Sequence, residues 1–177
     1  VRIHDRLQAE LGLAQACAFI LQPPSSRPCA TAEIAMRVVN VGLVGYGLAG
    51  KVFHAPLIGG VEGLRLTHVA SSDAAKVQRD LPQAQVVANA QALLAAPEID
   101  LVVVATPNQS HFALAQQALL AGKHVVVDKP FVIHSAEGEE LARLAAARGK
   151  VLSVFHNRRW DNDFLTVREI LRSGLLG

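Results

Sequence analysis

Two short stretches of this chain carry residue types and spacings that could do chemistry. Gly45-Tyr46-Gly47-Leu48-Ala49-Gly50 follows the apolar run Val38 to Val44, and Asp128-Lys129-Pro130 follows His124-Val125-Val126-Val127. Glycines at G-x-G-x-x-G spacing arise in turns by chance, but between a strand and a helix they acquire a mechanism. The first allows a tight turn, the second lets backbone approach a pyrophosphate, and the third lets helix pack closely on strand. The helix N-terminus beyond them offers unpaired N–H groups to an anion. This context implies a dinucleotide site.

The same letters admit a rival. Gly45 to Lys51 satisfies G-x-x-x-x-G-K, the start of a phosphate-binding P-loop, and Val125-Val126-Val127-Asp128 could pass for its acidic strand end. The pattern fails at Val52, where a Ser or Thr hydroxyl must ligate Mg²⁺. A nucleoside triphosphatase is therefore a poor reading. Lys51 itself, in the first turn of a helix, opposes the macrodipole unless a phosphate is bound, and otherwise reads as a solvated surface lysine.

Lys129 can be read as a lysine beside a turn proline. The favoured reading is a contact to a substrate hydroxyl or carbonyl beside the nicotinamide, since burial and neighbours tune a lysine readily. Ligands of an open parallel sheet bind at the carboxyl ends of its strands. The candidates there are Ser71 and Ser72 after the second strand, and Thr106, Pro107, Asn108 and His111 after the fourth. Asp128 and Lys129 follow the fifth, and His156, Asn157, Arg158, Arg159 and Trp160 the sixth. His111 reads equally as a helix-surface residue, Trp160 more readily as an apolar anchor than as a substrate contact, and the arginines as simple solvated charges. An acid closing the second strand would bond the ribose 2′-hydroxyl of NAD and repel the phosphate of NADP. Ser71 stands there, Asp73 reads as a helix cap, and Lys76 is near. The choice leans to NADP over NAD.

The elements that position these residues follow from periodicity. Strand-like runs are expected at Val38–Val44, Leu64–Ala70, Gln85–Ala88, Ile99–Ala105, His124–Val127 and Val151–Phe155. Helices are expected between them: a first from about Lys51, with His54-Ala55-Pro56 in its opening turns, to Gly59-Gly60, a second capped by Asp73 through Leu81, and a third capped by Asn89 through Ala95. Others run over Ser110–Leu120, Ser135–Ala147 and Asp161–Arg172, the last with Phe164, Val167, Ile170 and Leu171 on one face. Repeated strand–helix alternation predicts an α/β fold, a doubly wound parallel sheet.

Composition sets the outer limits. The chain has 177 residues, 51% of them hydrophobic, and a net charge of +2. That length suits one domain rather than two. The charge is small and scattered, which argues against a nucleic-acid partner. No apolar run reaches the roughly 18 residues of a membrane span. Cys17 and Cys29 are the only cysteines, so the remainder suits a reducing cytoplasm and offers no disulfide or metal site. Residues 1–35 read differently from the rest. They lack the positive bias of a signal peptide and are expected to be a non-native or disordered extension, with the natural start at Met36.

Four motifs then agree in order: Gly45 to Gly50 with His54-Ala55-Pro56, Thr106-Pro107-Asn108 with His111, Asp128-Lys129-Pro130, and Asn157-Arg158-Arg159-Trp160. From Met36 to Gly177 the chain resembles the N-terminal half of the glucose–fructose oxidoreductase/inositol dehydrogenase/rhizopine catabolism (Gfo/Idh/MocA) family. The resemblance implies an NAD(P)-binding Rossmann fold over residues 36–177, from an oxidoreductase acting on a sugar, polyol or related compound. The family's motif is usually Glu-Lys-Pro, so Asp128 is a conservative departure. The matching lysine, Lys129, lies at the nicotinamide and substrate in that family, and the bond into the proline is often cis. The resemblance also implies a second, C-terminal α/β domain absent here, which supplies most of the substrate pocket, the oligomer interface and a catalytic histidine. A fragment without it is expected to be inactive alone. A non-catalytic NAD(P)-binding or sensing module is the alternative.

Overall fold

Six parallel strands form one sheet in the computed structural model, which describes residues 38–176; the expected extension, Met36 and both cysteines lie outside the described residues. The strands are β1 (Val39–Val44), β2 (Leu64–Ala70), β3 (Gln85–Val87), β4 (Leu101–Val104), β5 (His124–Val127) and β6 (Leu152–Val154). Their order is β3-β2-β1-β4-β5-β6. The strand order therefore reverses between β1 and β4, the point at which such sheets open a crevice at their carboxyl ends. The helices are α1 (Ala55–Gly60), α2 (Ala74–Asp80), α3 (Ala90–Leu94), α4 (His111–Leu120), α5 (Ser135–Arg148) and α6 (Asn162–Arg172).

Successive strand side chains point to opposite faces, and β4 shows the consequence. Val102 and Val104 enter one apolar cluster, with Leu93 of α3, Leu119 of α4 and Leu141 of α5. Val103 enters the other, with Ile58 of α1 and Val77 of α2. A sheet covered on both faces needs continuous apolar strands rather than alternating ones, which is why the Val-rich runs stand out in the sequence. The β1–β2 register slips by one residue after Val41, and the Thr67 hydroxyl, in the bulge, donates to the Val41 carbonyl at 3.3 Å.

The expected and observed boundaries agree for β2 and β5 and differ by one to three residues for the other strands. Asp73 and Asn89 cap as expected, accepting the Lys76 and Ala92 N–H groups at 3.0 and 2.9 Å. For α5 the decisive group is Glu137, whose carboxylate accepts the N–H groups of Ile133 and His134. Between the glycine loop and α1 the chain makes a π-helical turn over Gly50–His54. Such turns are rare and recur at functional sites. On α6 the apolar face is not covered: Phe164, Val167 and Leu171 are all exposed. Among the described residues no helix is long and apolar enough to cross a membrane.

Lys123, at the start of β5, is buried. Its ammonium donates to the Ala96 and Ile99 carbonyls, each at 2.8 Å. It thereby satisfies the turn that leads from α3 into β4. Lys123→Met keeps the aliphatic stem and strips both donors from buried acceptors, so urea unfolding should show a loss of about 2 kcal/mol. An unchanged midpoint would mean that water replaces the ammonium there.

Candidate cofactor and active site

The three loop glycines have different reasons to be glycine. Gly45 has φ +96°, and a Cβ there would stand 2.5 Å from the Ala105 carbonyl oxygen; a Cβ on Gly50 would run into the Gly45 carbonyl oxygen. These two are required by the packing of β1, β4 and the helix. Gly47 is different, because a Cβ there would meet nothing within 4 Å. Open space in front of the second glycine is what a pyrophosphate approaching the backbone needs.

That space is part of a cleft of about 470 Å³ across the carboxyl ends of β2, β1 and β4, lined by Gly45, Gly47, Ser71, Ser72, Lys76 and Thr106 among others. Tyr46 and Pro107 also line it, as does Asn89, which the sequence marks only as a cap. Lys76 reaches from α2 to the glycine loop, its ammonium donating to the Tyr46 carbonyl at 3.1 Å. The Ser71 hydroxyl accepts the Asp73 N–H at 3.1 Å, and the Asp73 carboxylate is committed to the cap of α2. The Tyr46 phenol is pushed up from its ordinary pKa, first by burial and then by Asp80. Lys51 does not point a free charge at the glycine loop, for its ammonium pairs with Asp80 at 2.7 Å.

A second cleft, about 250 Å³, opens beside the first and is lined by Leu48, Phe53, Asp128, Lys129, Asn157 and Arg158, with Ala49 and Phe155. The Lys129–Pro130 bond is cis, and the Lys129 N–H donates to Asp128 Oδ1 at 2.8 Å. Beneath this turn lies His111, which is wholly buried. Its Nδ1 and Nε2 stand 2.8 Å from the Pro130 and Thr106 carbonyl oxygens. His111 therefore lies behind the cleft rather than in it, tying the loop after β4 to the turn after β5. The Thr106 and Ser110 hydroxyls share a hydrogen bond of 2.7 Å. Asn108 sits on the exposed 3₁₀ turn Asn108–Ser110.

Of the residues after β6, Asn157 and Arg158 reach the second cleft. The Arg158 guanidinium is held by Asp161 at 2.7 Å, which raises its pKa. Trp160 is 74% exposed and lines neither cleft. His54 carries no site role in the sequence reading, yet it is buried next to Asp128 with Nε2 3.8 Å from Oδ2. Burial pushes its pKa below the ordinary value of 6.5, and the Asp128 carboxylate only partly offsets that. The ring is therefore held neutral, and protonating it opposes folding as pH falls below that value. No group of three or more His, Cys, Asp or Glu side chains among the described residues could hold a metal ion.

The glycine loop borders a crevice at the strand reversal, and Lys129 lines the second cleft at the neighbouring strand end. Residues 39–156 match the GFO_IDH_MocA family, described as an oxidoreductase family with an NAD-binding Rossmann fold. The chain belongs to the Gfo/Idh/MocA oxidoreductase family. It is 55% identical over 139 residues to the uncharacterized oxidoreductase YdgJ of Escherichia coli, covering 78% of this chain and 40% of that protein. It is 43% identical over 138 residues to the NADP-dependent scyllo-inositol 2-dehydrogenase IolW of Bacillus subtilis, covering 78% and 38%. The solved structure of a Klebsiella pneumoniae protein ascribed to the oxidoreductases matches with a TM-score of 0.76 at 53% identity, covering 80% of this chain and 41% of that one. The chain thus spans about 40% of the length of these relatives, and its matched part is the family's NAD-binding Rossmann fold.

Proposed function

We propose that this chain is the cofactor half of an NADP-preferring dehydrogenase acting on a polyol or inositol-type alcohol, with Lys129 at the reacting carbon. The observation that carries the cofactor preference is the end of β2. Two serine hydroxyls and the Lys76 ammonium border the cleft there, and the nearest acid, Asp73, is occupied as a helix cap. A hydroxyl pair with a cation suits a 2′-phosphate, where an unoccupied carboxylate would repel it. The relationship to IolW, an NADP-dependent scyllo-inositol dehydrogenase, supports the same choice and the polyol substrate class.

In this reading Gly45, Gly47 and the N–H groups that follow hold the pyrophosphate, and Ser71, Ser72 and Lys76 the adenosine end. Thr106, Pro107 and Asn108 border the path toward Lys129, and His111 fixes it from behind. The bound cofactor would supply hydride exchange with the carbon that bears the substrate hydroxyl. Lys129 orients that hydroxyl and stabilises charge on its oxygen, while Asp128 fixes the lysine backbone. Asn157 and Arg158 border the substrate side of the same cleft. The cysteine-free body suits a reducing cytoplasm, and a homo-oligomer would form through the remainder of a family-length protein.

Titration with NADPH and NADH, followed by nicotinamide fluorescence, tests the cofactor assignment. NADPH is expected to bind in the micromolar range and about tenfold more tightly than NADH, a difference of about 1.4 kcal/mol. Lys76→Ala is expected to remove most of that difference. Tighter binding of NADH would reverse the preference, and binding of neither would overturn the cofactor site. Polyol-dependent NADPH formation by the family-length protein tests the substrate class.

A further inference from the structure

His54 lies outside the lining of both clefts, yet its surroundings are those of a working group. Its side chain is only 4% exposed, and its Nε2 is a buried nitrogen with no hydrogen-bond partner. Buried polar atoms are nearly always satisfied, and an exception needs a reason. The imidazole rests against the Phe155 ring, centroids 4.3 Å apart, and it ends the π-helical turn that follows the glycine loop. One acceptor faces it: Asp128 Oδ2 at 3.8 Å. The other oxygen of that carboxylate already holds the Lys129 N–H at 2.8 Å.

We propose that His54 is a positioning residue whose Nε2–H is held in reserve for Asp128 Oδ2, so that filling the Lys129 cleft closes a His54–Asp128–Lys129 chain. The inference rests on the reading of Lys129 as the substrate-facing lysine. An ionised carboxylate only accepts hydrogen bonds, so closing the contact requires the ring's proton on Nε2. A gap of 3.8 Å is about 1 Å longer than a hydrogen bond, a distance that a small rotation of the Asp128 side chain can cover. Burial keeps the ring neutral, which leaves the Asp128 charge for the lysine rather than spending it on an imidazolium. The closed chain fixes both carboxylate oxygens and with them the segment from which the Lys129 side chain springs. Because His54 follows the glycine loop directly, the same contact joins the phosphate-binding end of the cleft to its reacting end.

The test is a cycle in the family-length protein. His54→Phe keeps a ring against Phe155 and removes the donor, His54→Gln keeps a donor, and Asp128→Asn removes the charge. NADPH affinity is expected to stay within twofold throughout. The kcat for polyol oxidation is expected to fall about tenfold in His54→Phe and in Asp128→Asn, and no further in the double variant, because members of one chain are not additive. His54→Gln is expected to retain at least a third of the activity. An unchanged kcat in His54→Phe, or a hundredfold loss in the double variant, would overturn the proposal.

Imidazole ¹⁵N spectra supply a readout that needs no turnover and also serve if His54→Phe fails to fold. The His54 Nε2 signal should be that of a protonated nitrogen and should move in Asp128→Asn. A bare Nε2, or one indifferent to that substitution, sinks the coupling. A wild type that binds NADPH but oxidises no polyol would instead overturn the reading of Lys129, and the spectra would still decide whether His54 and Asp128 are coupled.

Discussion

Replacing Gly47 by valine is expected to raise the Kd for NADPH a hundredfold or more, about 2.7 kcal/mol, while leaving the thermal midpoint within about 2 °C of wild type. The separation of these two effects follows from where the added atoms go. A Cβ on Gly47 meets no protein atom within 4 Å, so the folded state has room for it. The space it enters is the mouth of the cleft, through which a pyrophosphate must approach the backbone N–H groups. Even a displacement of about 1 Å turns short charge-assisted hydrogen bonds into water-separated ones, and those are the stronger contacts to lose. The control is Gly50→Ala. Its Cβ would run into the Gly45 carbonyl oxygen, an overpacking that should cost about 2–3 kcal/mol of stability and lower NADPH binding along with it. If Gly47→Val binds NADPH like wild type, the pyrophosphate does not pass there. If it unfolds, the loop has a structural demand at Gly47 that its open surroundings do not show.

The second large effect concerns Lys129. Lys129→Met in the family-length protein should lower kcat for polyol oxidation by a factor of about 10²–10⁴, the range for a group that handles charge on the reacting oxygen, with NADPH affinity within threefold of wild type. The side chain is exposed in the cleft, whereas the backbone on either side of it is fixed. Asp128 Oδ1 holds the Lys129 N–H, and the Pro130 carbonyl is held by buried His111. Methionine should therefore remove the ammonium without moving the turn, and single-turnover kinetics would report the chemical step alone. A loss confined to KM would demote the lysine to a binding contact. A loss of NADPH affinity as large as the loss of kcat would place it on the cofactor instead.

How legible the site was from sequence depended on how local each cause is. The caps at Asp73 and Asn89, the apolar strands and the glycine turn are decided within a few residues, by hydrogen bonds to the next helical turn and by the two-residue pleat. They were placed where the structure has them. Lys51 is the contrary case. Its position in the helix suggests a phosphate, but α2 brings Asp80 to it at 2.7 Å, an ion pair that no spacing in the sequence announces. Lys123 carries no reading in the sequence, and only the adjacency of β5 and β4 brings two carbonyls within its reach. Trp160, offered as a substrate contact, is largely exposed, and α6 leaves its apolar face bare. An amphipathic pattern states that a face wants a partner, not which surface supplies it.

By itself, then, the sequence determined the alternation of strand and helix, the glycine loop with its mechanism, the lysine at a strand end and the family to which these belong. Each depends on residue type and short-range spacing, which the chain carries at every point along its length. Tertiary structure alone decided that His111 lies behind the cleft, that Lys76 bridges to the Tyr46 carbonyl, and that His54 packs on Phe155 and faces Asp128. Those pairings join residues far apart in the chain, and they exist because the strand order β3-β2-β1-β4-β5-β6 brings the ends of β2, β1, β4, β5 and β6 to one edge.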